Sequence, residues 1–264
     1  MIPSLDAALV YERYIALHRL AAKKLNAATG TSLGGRMLLY GDADEYGSAC
    51  ALAASIAGAA SLGITANTEQ LKLAVRNGVC DFLVNALDEA LRILKNEIRK
   101  KQPVSVCLEQ PLDETMREIA ARGVQPDILA LTAQDVAGSG EETALLLQRG
   151  AVELPVSPVQ AAPGREGVRW SVAELPALWL PKVDAAAADV LGDELRCRWL
   201  RLAPRYLGRR ALTQRYVEMT DRETESFLAA IRVLLREGKL GEGRIETAVT
   251  VEFHSGEERL TLAR

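Results

Sequence analysis

Acidic side chains follow three of the short apolar runs in the first half of the chain. They are Asp42, Asp44, Glu45, Glu109 and Asp135. When buried strands alternate with helices, ligands bind outside the carboxyl ends of the strands, at the point where the strand order reverses. Carboxylate oxygens are the ligands that Mg²⁺ and Ca²⁺ prefer, and they also attract organic cations. If the first and fourth strands flank this crevice, as in the usual strand order, Asp42, Asp44 and Glu109 form a candidate site for a divalent cation.

Three interpretations of these carboxylates stay open. The favoured one is that they are solvated loop side chains pointing away from one another, because acidic residues are mostly exposed. The second is the cation site, and the third is a pocket for another, unknown small molecule. The residues expected to line such a crevice are Asp42, Asp44, Glu45, Tyr46, Gly47, Ser48, Thr65, Glu109, Gln110, Thr132, Gln134 and Asp135.

Histidine and cysteine offer little further material for catalysis. The chain has two histidines, His18 and His254, which leaves little for a histidine metal site or a Ser-His-Asp arrangement. Its four cysteines lack metal-ligand or disulfide spacing, so reduced thiols are expected. Cys197 lies between Arg196 and Arg198, which can lower a thiol pKa, but its helical context favours a buried, inert thiol.

Arginine is concentrated in one segment, 196–215, which holds seven arginines and no acidic residue. Trp199, Tyr206 and several leucines interleave with them, a pattern suited to binding a phosphate, a nucleic acid or an acidic partner surface. The favoured interpretation is a helical pair whose arginines lie along the surface and pair with acidic loops. A further interpretation is that the segment docks near the acidic crevice, within the chain or across a dimer.

Short buried runs alternate with helical segments through the first half of the chain, after an amphipathic helix over 6–28. The predicted strands are 37–40, 62–65, 81–84, 104–108 and 127–131. Short apolar strands that alternate with helices form a parallel sheet covered on both faces. The prediction is an α/β fold with a doubly wound, five-stranded parallel Rossmann-like sheet in a domain over residues 1–145.

The second half has a different pattern. Residues 132–142 resemble a loop, and 155–168 hold three of the ten prolines, which indicates a linker. The remainder is mainly helical, with capping-box spacing between Thr220 and Glu223 at the start of a helix over 221–237. Alternating apolar residues from Val249 predict a terminal β-hairpin that turns at 254–257. The prediction is a smaller, mainly helical α+β part over 146–264.

The composition is that of a globular protein, with 48% hydrophobic and 25% charged residues. A net charge of −3 does not favour nucleic acid or an anionic membrane as the main partner. No apolar run approaches the length of a membrane-spanning helix, and the first residues lack the basic and apolar regions of a signal peptide. These features predict a cytoplasmic protein without a membrane partner.

The first half resembles the Rossmann-like central domain of urocanase, the NAD-dependent hydratase of histidine breakdown. The resemblance runs from about Tyr11 to Gly140 and rests on the order and spacing of short segments. The clearest are RNGVCD at 76–81, LDEAL at 87–91, PVSV at 103–106 and RGVQPD at 122–127, with LAASIAGA at 52–59. The resemblance implies a Rossmann-like fold and, because urocanase is dimeric, a homodimer.

The positions that hold NAD in urocanase are almost all changed. The family's Gly-rich turn, whose backbone N–H groups meet the pyrophosphate, corresponds to 42–48, where only Gly47 remains. The family's acidic residue on the ribose corresponds to Thr65, and a following Arg to Gln70. An Asn-Ala pair corresponds to 111–112, and the polar segment at 132–136 lacks the family's His. These concerted changes predict that NAD is not bound.

Two functional hypotheses follow from the resemblance and its departures. Residues 150–264 show no match to urocanase, which has its catalytic cysteine in its C-terminal part. The preferred hypothesis is a urocanase-like pseudoenzyme that has lost NAD-dependent hydration and acts as a small-ligand-binding or oligomeric assembly module. The alternative is an enzyme of altered lyase or hydratase chemistry that uses the acidic crevice with a divalent cation or another cofactor. A less favoured third hypothesis is a hydratase that binds NAD in a shifted pose.

Overall fold

The chain divides into two compact units, residues 1–159 and residues 160–264. The computed structural model describes residues 5–28, 30–158, 162–173, 175–236, 249–253 and 259–262. Within these ranges, no helix combines the length and the apolar character needed to cross a membrane.

The first unit is a parallel sheet with helices packed on it. Its strands are β1 (Met37–Tyr40), β2 (Ala60–Ile64), β3 (Phe82–Val84), β4 (Ser105–Leu108), β5 (Ile128–Ala130) and β6 (Val152–Glu153). Its helices are α1 (Ala7–Lys24), α2 (Glu45–Ala57), α3 (Thr68–Arg76), α4 (Leu87–Lys100), α5 (Leu112–Ala121), α6 (Ala133–Ala137) and α7 (Gly140–Gln148). The strand order is β3-β4-β2-β1-β5-β6, and all neighbouring pairs are parallel.

The predicted α/β class is confirmed, but the predicted strand count is wrong. The sheet has six strands rather than five, because Val152 and Glu153 pair with β5 as a short sixth strand. The segment 132–142, predicted as a loop, contains α6 and the start of α7. Its small residues concealed a capping box formed by Thr132 and Asp135. The first unit therefore extends to residue 159 rather than ending at 145.

Strand β1 is packed on both faces of the sheet. All four residues of β1 are buried, and Leu39 belongs to a cluster of large side chains that includes residues of α4, α5 and α7. Tyr40 points to the opposite face, where its ring lies so close to Gly63 that a Cβ there would be 2.3 Å from the ring. Helix α2, built almost entirely of small residues, contacts β1 and β2. This packing fixes the loop that follows Tyr40.

The second unit is an antiparallel sheet packed with helices. Its strands are β7 (Arg165–Val172), β8 (Gln214–Thr220), β9 (Val249–Phe253) and β10 (Arg259–Leu262), in the order β10-β9-β7-β8. Its helices are α8 (Pro176–Val190), α9 (Glu194–Tyr206) and α10 (Asp221–Arg236), with a 3₁₀ helix over Gly208–Leu212. Trp170 of β7 and Phe227 of α10 meet in its core, with ring centroids 5.0 Å apart.

The prediction of an α+β second part is confirmed, but the mainly helical pattern concealed two strands. Strands β7 and β8 pair along seven residues, from Arg165 opposite Thr220 to Ser171 opposite Gln214. Strands β9 and β10 pair antiparallel, as the predicted hairpin requires, and its predicted turn lies outside the described residues. Helix α10 begins with the predicted capping box, since the Glu223 N–H donates to the Thr220 hydroxyl and the Thr220 N–H donates to the Glu223 carboxylate.

Candidate functional site

The carboxyl ends of the parallel strands lie along one edge of the first sheet, which we call the carboxyl edge. Strand β1 lies between β2 and β5, so the strand order reverses between β1 and β5. The prediction that the first and fourth strands flank the crevice is wrong, because β2 separates them. Asp135, which follows β5, therefore lies beside the loop after β1, whereas Glu109 follows β4, which β2 separates from β1.

The N-terminus of α2 is capped by Asp44, one of the predicted site residues. The Asp44 carboxylate is the N-cap of this helix and accepts a hydrogen bond from the Gly47 N–H at 2.8 Å. Gly47 is needed for packing, since a Cβ there would lie 2.1 Å from the Asp42 carbonyl oxygen. The Ser48 hydroxyl is buried and donates to the Ala43 carbonyl at 3.1 Å. The Asp44 side chain thus takes one of the helix N–H groups that a phosphate would otherwise use.

The switch point between β1 and β5 is occupied by the Asp135 carboxylate. This carboxylate accepts hydrogen bonds from the Thr132 N–H at 2.7 Å and the Thr132 hydroxyl at 2.8 Å, as part of the capping box of α6. It lies directly over Gly41, where an added Cβ would be 2.2 Å from Oδ1 of Asp135. Gly41, the residue immediately after β1, therefore makes room for an internal carboxylate.

Asp42 and Glu109 are held by separate threonine hydroxyls. The Thr65 hydroxyl donates to Asp42 at 2.5 Å, and Thr65 itself is buried at the end of β2. The Thr68 hydroxyl donates to Glu109 at 2.7 Å from the first turn of α3. Both contacts are short hydrogen bonds from neutral donors. Asp42 and Glu109 therefore have different hydrogen-bond partners and do not share a contact.

Tyr46 is the one aromatic side chain at the start of α2, and it is half-buried. The Arg13 guanidinium lies over the Tyr46 ring, 5.4 Å from its centroid. The Tyr46 hydroxyl donates to the Leu154 carbonyl at 3.4 Å. Burial raises the pKa of the Tyr46 phenol, the effect outweighing the nearby cation of Arg13. The phenol therefore stays protonated at neutral pH and does not act as a general base.

The remaining predicted site residues have structural contacts or face solvent. Gln110 donates to the Asn85 carbonyl at 2.9 Å and accepts from the Thr115 hydroxyl at 3.2 Å. Glu45 lies exposed in the first turn of α2, where a negative charge favours the helix dipole. Gln134 is exposed on α6. These positions line the carboxyl edge without converging on one point.

A divalent cation site is not assembled at this edge. Across the part of the chain that the structure describes, no group of three His, Cys, Asp or Glu side chains is arranged to hold a metal ion. The predicted trio of Asp42, Asp44 and Glu109 is divided among Thr65, the Gly47 N–H and Thr68. What these residues create together is an edge of exposed negative charge, with Asp42, Asp44 and Glu45 all facing solvent.

The arginine-rich segment is engaged within the second unit. Arg196 is buried on α9 and donates to Glu223 at 2.7 and 2.8 Å, to Asp193 at 2.6 Å and to the Glu218 carbonyl at 2.8 Å. Arg215 pairs with Asp184 at 2.7 Å. On the exposed side, Arg201 reaches Glu194 at 3.0 Å. The favoured prediction is correct that these arginines pair with acidic residues, but it is wrong about their place: Arg196 is buried, and Arg215 lies on strand β8 instead of a helix.

Cys197 is only partly buried, not buried as predicted, but the surroundings of its thiol are those of an inert side chain. Its Sγ donates to the Ala188 carbonyl at 3.6 Å from within α9. Partial burial and the nearby Asp193 raise the pKa of this thiol, outweighing the arginines beside it. A thiol with a raised pKa is a poor nucleophile at neutral pH.

Two residues that shape the carboxyl edge were missed by sequence reasoning. Gly41 carries a detectable signal, because a glycine directly after a buried strand often marks a close approach by another group. Arg13 carries none, since it looks like an ordinary charged residue of an amphipathic helix. In the structure it is buried and donates to the Pro155 carbonyl at 2.6 Å and the Ser157 carbonyl at 3.1 Å. It thereby holds the chain that leaves β6.

Comparison with known protein families gives a match for the first unit. Residues 10–135 match the family model described as the urocanase Rossmann-like domain. The matched segment runs from α1 into α6 and includes the first five strands of the sheet. The predicted resemblance is therefore confirmed for this part of the chain.

Proposed function

We propose, on the premise that the first unit is a urocanase Rossmann-like domain, that the chain has lost the NAD-dependent hydration of urocanase and acts as a binding or assembly module. The resemblance implies that NAD would place its pyrophosphate at the helix start that follows β1. In this chain the Asp44 carboxylate takes the Gly47 N–H there. That contact is the observation that carries the proposal.

Charge supports the proposal in addition to geometry. A pyrophosphate needs donors and a positive local potential. The loop after β1 instead exposes Asp42, Asp44 and Glu45, and the switch point holds Asp135. Asp42, Asp44 and Asp135 accept hydrogen bonds there from neutral hydroxyls and N–H groups instead of cationic side chains. A phosphate brought to this edge would be repelled by like charge.

The position that corresponds to the family's ribose-binding acid supports the same conclusion. Thr65 has replaced it, and the Thr65 hydroxyl donates to Asp42 at 2.5 Å and accepts from the Asn67 N–H at 3.1 Å. The side chain is thus committed to organising the loops of the carboxyl edge. A ribose would have to displace one of these hydrogen bonds, and it would find a hydroxyl instead of the carboxylate acceptor that recognises a ribose diol.

Titration with NAD tests the proposal directly. Thermal unfolding of the full chain, followed by far-UV circular dichroism, is expected to be unchanged by millimolar NAD. A ligand present at 100 times its Kd stabilises a protein by about 2.7 kcal/mol, so binding would be obvious. A saturable rise in the melting temperature with NAD would overturn the proposal.

The Asp44→Ala variant checks the contact on which the proposal depends. Removing an N-cap carboxylate costs about 1 kcal/mol of stability, whereas Glu45→Ala, a change in the same turn without the capping bond, should cost less. If the two variants unfold alike, Asp44 does not close the helix terminus. Titration with Mg²⁺ and Ca²⁺ tests the alternative enzyme: a stabilising response that disappears in the Asp42→Ala/Glu109→Ala variant would favour altered, cation-dependent chemistry.

A further inference from the structure

The chain leaves β6 at the carboxyl edge as an exposed segment. Leu154, the residue after β6, is fully buried and donates its N–H to the Leu129 carbonyl of β5 at 2.8 Å. Residues 155–157 follow, and all three are exposed. We call these three residues the strap. They are among the last residues of the first unit, which ends at residue 159.

One side chain, Arg13 of α1, donates hydrogen bonds to all three carbonyls of the strap. The distances are 2.6 Å to Pro155, 3.3 Å to Val156 and 3.1 Å to Ser157. Within the described part of the chain, the Val156 and Ser157 N–H groups make no backbone hydrogen bond, and Pro155 has no N–H. Segments with exposed side chains and few backbone hydrogen bonds open at a low free energy. The strap can therefore leave its place without unfolding of the sheet.

Arg13 also contacts the start of α2. Its guanidinium lies 5.4 Å from the centroid of the Tyr46 ring, and the Tyr46 hydroxyl donates to the Leu154 carbonyl beside the strap at 3.4 Å. Tyr46 belongs to the first turn of α2, which follows β1, whereas Leu154 follows β6, and β5 lies between these two strands. These contacts therefore join the β1 side of the switch point to its β5 side.

The position of these contacts gives them a functional meaning. Ligands of doubly wound folds enter the crevice at the switch point, and enzymes and binding proteins commonly control such a crevice with a short segment that closes over it. With the strap in place, Arg13 is only 1% exposed and Tyr46 is half-buried. The strap thus covers the start of α2 and depends on one side chain to stay there.

We propose that the strap is a gate over the start of α2, held closed by Arg13, and that it opens while the rest of the first unit stays folded. Opening separates the three carbonyls from Arg13 and exposes the Tyr46 ring beside the switch point. A ligand at the start of α2 and a closed strap then compete for the space around Tyr46. This inference rests on the binding role proposed above and specifies what controls access to that site.

Nitration by tetranitromethane at mildly alkaline pH, mapped by peptide mass spectrometry, measures the opening, since the reagent attacks exposed phenolates. The Arg13→Met variant has no donors for the strap. Its Tyr46 should be nitrated about tenfold faster than in the wild-type chain, the factor expected when a hydrogen bond from a charged donor is lost. Loss of the Arg13 charge alone would slow the reaction, because that charge lowers the pKa of the Tyr46 phenol. Faster nitration therefore reports opening.

Two other tyrosines and a matched variant serve as controls. Tyr40 is fully buried and should stay unmodified in every folded variant, while Tyr206 of the second unit should react at its wild-type rate. In the Arg36→Met variant the lost side chain also donated to a backbone carbonyl of the first unit, but it precedes β1, at the opposite end of the sheet. Tyr46 should react there as in the wild-type chain. Unchanged nitration of Tyr46 in Arg13→Met, with Tyr40 protected, overturns the inference.

The Pro155→Gly variant opens the gate from the strap side and keeps Arg13. Replacing a proline by glycine favours the more flexible open state by about two- to fivefold, so the nitration rate of Tyr46 should rise by a similar factor. This variant decides the matter if Arg13→Met exposes Tyr40 and is therefore unfolded. Nitration of Tyr46 at the wild-type rate in Pro155→Gly would then refute the gate.

Urea below the unfolding transition distinguishes a local gate from global unfolding. Local opening exposes little surface, so the Tyr46 nitration rate of the wild-type chain should hardly change with urea, whereas the Tyr40 rate should rise steeply. If the two rates depend equally on urea, Tyr46 is exposed only by global unfolding and there is no gate.

The nitration measurements contain no NAD, so they separate this inference from the proposed function. If NAD stabilises the chain and Tyr46 opens as expected, the loss of the cofactor is refuted and the gate stands. If NAD has no effect and the Tyr46 rate is the same in all variants, the gate is refuted and the loss of the cofactor stands.

Discussion

The acidic carboxyl edge of the first unit and the arginine-rich segment of the second satisfy their charges in different ways. At the carboxyl edge, Asp42 and Asp44 accept hydrogen bonds from a threonine hydroxyl and a backbone N–H, both neutral donors. In the second unit, Arg196 and Arg215 donate to ionised carboxylates. The acids of the carboxyl edge are thus held by neutral groups of the same edge, whereas the arginines of the second unit are paired with carboxylates of opposite charge.

This difference limits what each region can do. A carboxylate bonded to a neutral donor still contributes its full charge to the local potential, so the carboxyl edge disfavours anions. A guanidinium that is buried and paired with two carboxylates is not available to bind a phosphate or an acidic partner surface. The hypothesis that the arginine-rich segment docks on the acidic crevice therefore loses Arg196 and Arg215 as contributors, since both are committed within the second unit.

The largest effect is expected from breaking the internal pairing of Arg196. The Arg196→Met variant leaves Glu223 and Asp193 without their partner, and removing one member of a buried pair costs about 3–5 kcal/mol. Arg201→Met is the matched control, because Arg201 pairs with Glu194 on the exposed surface and such pairs contribute about 0–1 kcal/mol. All three tryptophans of the chain lie in the second unit, so urea unfolding followed by tryptophan fluorescence reports this unit alone. Equal stability losses in the two variants would contradict the contrast drawn above.

A somewhat smaller effect is expected from pH. Hydrogen bonds from Arg196 lower the pKa of Glu223 to about 2, compared with about 4.3 in an unfolded chain. A carboxyl whose pKa is lowered by folding stabilises the folded state above its unfolded pKa, and this contribution disappears as the pH falls from about 5 to about 2. At about 1.4 kcal/mol per unit, the loss is about 3 kcal/mol.

The Glu223→Gln variant isolates this contribution. Its fluorescence-detected unfolding free energy should fall less between pH 5 and pH 2 than that of the wild-type chain, by roughly the same 3 kcal/mol. Comparing the two proteins cancels other groups, including Asp184, whose pKa burial raises. Parallel pH profiles would mean that Arg196 does not hold Glu223 ionised.

Much of the first unit was predictable because strands β1, β2, β4 and β5 are buried on both faces. Such strands form continuous apolar runs, and 37–40 and 104–108 could be identified from the sequence alone. Strand β6 could not, since two residues give no periodicity and acquire their conformation by pairing with β5. Strands β7 and β8 were hidden for another reason: their charged residues, such as Arg169 and Arg215, resembled the helical pattern around them.

The residues of the candidate site were easier to find than their arrangement. Asp42 and Glu109 follow strands, and that alone placed them at the carboxyl edge. Which acids meet depends on strand order, and the sequence does not state that β2 separates β1 from β4. The contact between Asp135 and Gly41 crosses the switch point, so it follows from topology rather than from any local pattern.

The contact between Asp135 and Gly41 also predicts an effect smaller than those of Arg196 and Glu223, and it tests most sharply whether the side chains of the carboxyl edge hold one another in place. In Gly41→Ala the new methyl group meets the Asp135 carboxylate, and overpacking of this kind costs about 1–3 kcal/mol. The Asp135→Ala change removes the obstacle at the expense of the capping box, so the double variant should lose less than the sum of the single losses. A coupling of more than about 0.5 kcal/mol in far-UV circular dichroism melts would show that the two residues meet. If Gly41→Ala is neutral, Asp135 does not lie over Gly41, and the switch point is open to a ligand after all.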